Sequence, residues 1–136
     1  MKTMILTLGL PLSLLSACAD DPQEVAQDQM EATAEQSAVA AGPQVAALGL
    51  TELQLLDADV FGVAGAELGE VQQIVRNPAG EVTGLLIEIE DSSPDRFVEL
   101  PLTGMTVMQR GDDADISTTM TRDQLVAMPE VVLPVR

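Results

Sequence analysis

The chain holds one cysteine, Cys18, and no histidine. Its side-chain chemistry therefore rests on a single thiol, many carboxylates, hydroxyls and a few guanidinium groups. A disulfide within one chain is impossible. Metal sites built from Cys and His lack their parts, as does a nucleophile activated by an imidazole. Asp112, Asp113 and Asp115 offer hard oxygen ligands of the kind that bind Ca²⁺, but their spacing fits no complete loop pattern and Gly111 precedes them. A solvated turn is the simpler reading. Asp57 and Asp59 could serve as paired carboxylates for acid–base work; beside a strand start, turn and cap roles explain them. Met105, Met108, Met120 and Met128 suit either an adaptable binding patch or core filling, and a chain with two Phe and no Tyr or Trp favours the core. Phe61 and Phe97 are expected core anchors. Arg76, Arg96, Arg110 and Arg122 either pair locally or mark a contact site. The expectation is a protein that is not an enzyme, with no cofactor and no metal.

The thiol has the most specific surroundings. Met1-Lys2-Thr3 opens with a base, and an apolar run from Met4 to Leu15 follows. That run falls short of the roughly 20 residues a membrane-spanning helix needs. A basic start, a short apolar run and small residues at its end form the secretion pattern. Leu15-Ser16-Ala17-Cys18 resembles the lipobox of bacterial lipoproteins. The resemblance implies cleavage between Ala17 and Cys18, a diacylglyceryl thioether on the Cys18 sulfur and acylation of the freed amine. Each buried methylene contributes about 0.8 kcal/mol and durable anchoring needs two acyl signals, so a three-chain lipid would hold permanently. Ala19, where Asp would favour inner-membrane retention in enterobacteria, implies a bacterial outer-membrane protein facing the periplasm.

Charge narrows the partners. The chain has 22 acids against 6 bases, a net charge of −16. Its only Lys is Lys2, and no other base precedes Arg76. Such a surface repels phosphate backbones and, without aromatic stacking platforms, argues against nucleic-acid binding. It argues equally against electrostatic docking to anionic lipid.

A chain of 136 residues allows one domain and a tail. The expected division is a signal over 1–17, a lipid-anchored flexible tether over 18–44 and a folded domain over 45–136. Residues 19–43 are mostly Ala, Gln, Glu and Asp, and Val25, Met30 and Val39 form no apolar stripe. Such a segment buries too little to offset its ordering entropy. As a coil its ends would lie roughly 25–30 Å apart. Partial helix between Pro22 and Gly42, or a partner-binding helix, is the alternative.

Beyond Val45 the pattern is short strands and turns. Leu50, Leu53, Leu55 and Leu56 form an apolar lead-in, and Val60-Phe61-Gly62-Val63 reads as a strand. Leu68, Val71, Ile74 and Val75 lie on a longer one. Asn77-Pro78-Ala79-Gly80 is a turn joining it to Val82, Leu85, Leu86, Ile87 and Ile89 as a hairpin. Phe97 to Leu100 predicts a strand stopped by Pro101, and Met105 to Met108 another. Residues 110–115 read as a loop, with Ile116 leading a last strand. Thr121 and Gln124 form a capping-box pattern for one short C-terminal helix. The expected fold is mainly β, a small antiparallel barrel or roll.

These strands resemble the PRC-barrel family. The resemblance is carried by Val60, Gly65, Glu67-Leu68-Gly69-Glu70-Val71, Asn77 to Gly80 with Val82, Val98-Glu99-Leu100-Pro101, Thr121-Arg122-Asp123-Gln124-Leu125 and Pro129-Glu130. The family's glycine-rich stretch is missing: Glu90 to Arg96 contains no Gly. The resemblance implies a protein-contacting module in place of a catalyst. The expected function is thus a lipid-anchored envelope protein that contacts another envelope protein. A periplasmic module for a small ligand or cation is the alternative.

Overall fold

The computed structural model describes residues 21–134. The signal over 1–17, with Ala17 and Cys18, lies outside the described residues. The elements are α1 (Pro22–Ala41), β1 (Val45–Ala47), β2 (Leu50–Thr51), α2 (Glu52–Leu56), β3 (Asp59–Phe61), β4 (Glu67–Arg76), β5 (Val82–Ile89), β6 (Phe97–Pro101), β7 (Thr106–Arg110), β8 (Asp113–Ser117) and α3 (Arg122–Val126). The described chain is mainly β, built on one six-stranded sheet of order β6-β5-β4-β3-β8-β7, with β1 and β2 as a separate pair.

The β4–β5 hairpin forms where the sequence predicts it. The Asn77 side-chain oxygen accepts from the backbone N–H groups of Ala79 and Glu81, both at 3.0 Å, and Gly80 takes the left-handed φ of +85° that closes the turn. Along β5, Leu85, Ile87 and Ile89 enter the main core while Leu86 joins a second cluster on the other face. In β6, Val98 and Leu100 face the main core and Phe97 the second cluster. Two covered faces explain why Leu85-Leu86-Ile87 is continuously apolar instead of alternating.

Of the expected barrel or roll, no closed barrel forms among the described residues. The edges are β6 and β7, yet only residues 102–105 join them. That link spans at most about 18 Å. A flat six-stranded sheet would set its edges roughly 24 Å apart, so the sheet curls into an open roll. Register shifts at Val60/Phe61, Val71/Gln73 and Val75/Arg76 supply the bends. Closure fails because the C-terminal segment takes the β6 edge: Val98 bridges Glu130, and the Val131 N–H donates to the Phe97 carbonyl at 2.8 Å. Nor is the sheet wholly antiparallel, since β3 and β8 run parallel.

The short C-terminal helix α3 forms as expected, but α1 and α2 depart from expectation. The apolar lead-in becomes α2, capped by Thr51 and Gln54 exchanging side-chain-to-backbone bonds of 3.3 and 3.0 Å. The α3 helix starts on the equivalent Thr121–Gln124 box. The larger correction concerns the tether. Residues Pro22–Ala41 are not a coil but a 20-residue helix packed on α2 and β4. Asp21 caps it, accepting from the Gln23 N–H at 2.9 Å, and Pro22 opens its first turn. The sequence hides this helix because its buried row is small. Ala26 and Ala38 are 8% and 0% exposed, with Met30 partly buried between them. This row at i, i+4 spacing lets the backbone approach the sheet closely.

Candidate functional site

The residues singled out in the sequence do not come together. The loop over 110–115 shrinks to Gly111-Asp112, because Arg110 pairs with Asp113 across the β7–β8 ladder. Asp112 and Asp113 are exposed, whereas Asp115 is buried. The Arg110 Nε lies 2.9 Å from Asp115 Oδ2; no hydrogen bond reaches that oxygen, so the contact is an ion pair. The same guanidinium stands 4.8 Å above the Phe61 ring. A Ca²⁺ loop is thereby replaced by local charge pairing. Met105, Met120 and Met128 pack in or against the main core, and Met108 faces outward. Phe97 is buried as expected, while Phe61 is only half-buried.

The four arginines bond locally. Arg76 pairs with Glu52 and donates to the Gly80 carbonyl. Arg96 donates to the Met128 carbonyl, and Arg122 to the Glu90 carbonyl.

The chemistry of the described surface lies mostly with carboxylates that no sequence motif marks, on one side of α1 and the strands beside it. Three adjoining grooves lie there, two lined in part by α1 and one by β4, β5 and the loop after β5. One, of about 280 Å³, lies between α1, α2 and β4 and is lined by Glu31, Glu35, Asp57, Glu70 and Gln72 among others. A second, of about 230 Å³, shares Glu70 and adds Glu88, Glu90, Asp91 and Asp95. A third, of about 440 Å³, shares Asp95 and adds Asp21, Glu24 and Asp28. Eleven carboxylates line the three grooves together, and no Lys or Arg does. That is half of the chain's 22 acids. Asp57 belongs to the first groove as the C-cap of α2. Asp59 instead stands on β3 opposite Glu70, where its carboxylate lies within 4.8 Å of those of Glu67 and Glu70.

Glu88 is the polar centre of the α1 contact. Its Oε2 accepts from Gln27 Nε2 on α1 at 2.7 Å and from Gln72 Nε2 on β4 at 3.1 Å. Loss of solvent and the carboxylates of Asp95, Glu70 and Glu31 push the Glu88 carboxyl above its ordinary range, against the lowering effect of the Gln27 hydrogen bond. Loss of solvent and Asp59, Glu90 and Glu70 push Glu67 the same way, with Arg110 opposing. Gln72 is 8% exposed, and its Oε1 has no hydrogen-bond partner. No spacing signal marks this set. Its members come from α1, α2, β4, β5 and the loop after β5, and only the fold assembles them.

No protein-family model matches the chain, and a search of curated proteins finds no match.

Proposed function

We propose that this chain is a non-catalytic, lipid-anchored module of the bacterial envelope that docks a basic segment of another envelope protein on its α1 face. The single observation that supports the docking surface is the run of three grooves lined by eleven carboxylates and no base. Such a field attracts a cationic partner from a distance and rejects acidic ones. The grooves are lined largely by charged and amide side chains, which suits a side-chain-rich protein segment better than an apolar small molecule. The PRC-barrel resemblance of the strands, with its implication of protein contact, belongs to this reading. So does the lipobox-like Leu15-Ser16-Ala17-Cys18, which would fix the domain to the outer membrane on its periplasmic side.

Crosslinking in intact cells, followed by mass spectrometry, tests the docking surface. The expected product joins a defined partner through residues of the α1 face. Charge reversal at Glu24, Asp28 and Glu31 should abolish it. Equal crosslinking by the reversed variant refutes the proposed surface. Mass spectrometry of the mature protein tests the anchor: an intact Met1 with an unmodified Cys18 thiol refutes it.

A further inference from the structure

The two edges of the six-stranded sheet are finished differently. On β6, Glu130 bridges Val98 and the Val131 N–H bonds the Phe97 carbonyl, so the C-terminal segment covers that edge. On β7, no described strand pairs with the outer side, and no backbone hydrogen bond outside the β7–β8 ladder reaches Thr106–Arg110. Which groups are left free follows from the register. The Thr118 N–H donates to the Phe61 carbonyl, so Thr118 and Ile116 turn their peptide groups toward β3. Ser117, Asp115 and Asp113 then turn theirs toward β7, where they meet Thr106, Met108 and Arg110. Val107 and Gln109 therefore direct their N–H and C=O groups outward. Natural sheets blunt such an edge with Pro, a bulge or charge. The β7 strand has neither Pro nor a register shift, and its only charge, Arg110, stands at its end over Phe61. It alone of the six strands carries no acid.

We infer that β7 is a dimerisation edge, pairing antiparallel with β7 of a second copy of this chain about a two-fold axis at Met108. The strand complements itself. Val107 and Gln109 flank Met108 evenly, so Val107 meets Gln109 of the second copy and the two exchange both main-chain bonds. Met108, 37% exposed, meets its own counterpart on the axis in an apolar contact. Arg110 falls opposite Thr106, so no like charges face each other. Charge selects this edge for a second copy. The chain carries −16, yet residues 101–109 contain no charged side chain. The eleven groove carboxylates belong to other elements. Two acidic molecules thus approach here with little repulsion. Assembly stops at two, because pairing consumes the open edge and the other edge is covered. A five-residue strand pair is smaller than the roughly 1,200 Å² interface of a stable complex, so the dimer is weak in dilute solution and forms where copies are concentrated. The inference goes beyond the docking reading, uses a different surface and stands whether or not a basic partner binds.

Disulfide trapping of the full chain in intact cells, with copper(II)–phenanthroline as oxidant, tests it. Across the axis the two Cα atoms of residue 108 would stand about 4.5 Å apart, within the span of a disulfide. The two Cα atoms of residue 106 would lie about 14 Å apart. Both positions are exposed, so Met108→Cys and Thr106→Cys keep the fold. Met108→Cys should give a covalent dimer, several-fold above Thr106→Cys and above the parent, which controls for Cys18. Mass spectrometry should map its linkage to position 108 in both chains. Absence of the Met108→Cys dimer overturns the inference. So does equal trapping through Thr106→Cys, or a different protein linked at position 108 in place of the second copy.

Discussion

Replacing Glu88 with Gln should stabilise the protein at neutral pH. The Glu88 Oε2 accepts two hydrogen bonds, from Gln27 and Gln72, and a Gln oxygen at the same place accepts both. What the substitution removes is a negative charge facing Asp95, Glu70 and Glu31. Screened like-charge relations near a surface cost about 0.2–0.5 kcal/mol each, so three of them give about 1 kcal/mol. For a domain of this size that raises Tm by about 3–5 °C. The pH dependence has a fixed sign. The folded-state carboxyl titrates above 4.5, the ordinary glutamate value. Between 4.5 and its raised position, the folded state holds more protons than the unfolded chain, so stability falls as pH rises through that window. The gap between parent and Glu88→Gln should therefore be largest at pH 7 and shrink on acidification toward 4.5. Glu88→Ala should instead destabilise by about 1–3 kcal/mol, because two amide groups lose their acceptor. Thermal melts of the three proteins at pH 5 and pH 7 decide the matter. A Gln variant less stable than the parent at pH 7, or a gap that does not narrow at pH 5, refutes the reasoning.

Phe97→Ala empties the second core cluster, where Phe97 is 1% exposed, and should cost about 3–5 kcal/mol by denaturant unfolding. Gly69→Ala places a methyl group into the Glu88 backbone oxygen; a loss of about 1–3 kcal/mol and disturbed β4–β5 amide protection are expected. Thr51→Ala removes half of the α2 capping box and should cost about 1 kcal/mol in thermal unfolding. Cys18→Ser should move the protein from the membrane fraction to the soluble one, read by fractionation.

The sequence exposed what local chemistry determines. Asn77 to Gly80 could be read as a turn because Asn and Gly act there through their own backbone, and Thr121–Gln124 because a capping box needs only four residues. The Thr51–Gln54 box carries the same signal, but Leu53, Leu55 and Leu56 beside it fit an apolar lead-in equally well. The α1 helix was hidden for a different reason: alanine contributes little to an apolar pattern, so a helix docked through Ala26 and Ala38 resembles a spacer. The parallel pairing of β3 with β8 joins residues more than fifty positions apart, and no local spacing encodes it. The acidic grooves follow from that assembly. Glu70 and Glu88 become neighbours only when β4 meets β5, and Glu31 reaches their vicinity only when α1 docks.

On the proposed anchorage, the docked helix would set a stand-off height. A free spacer would have let the domain roam tens of ångströms from its anchor. With α1 laid against the sheet, three peptide steps separate Cys18 from the Asp21 cap, a leash of about 11 Å at full stretch. On the proposed anchorage, the domain would lie flush with the headgroups and sweep a narrow lateral disc. Its companions would then be proteins rooted in the same leaflet, met edge to edge, and releasing α1 would be the way to reach anything farther off.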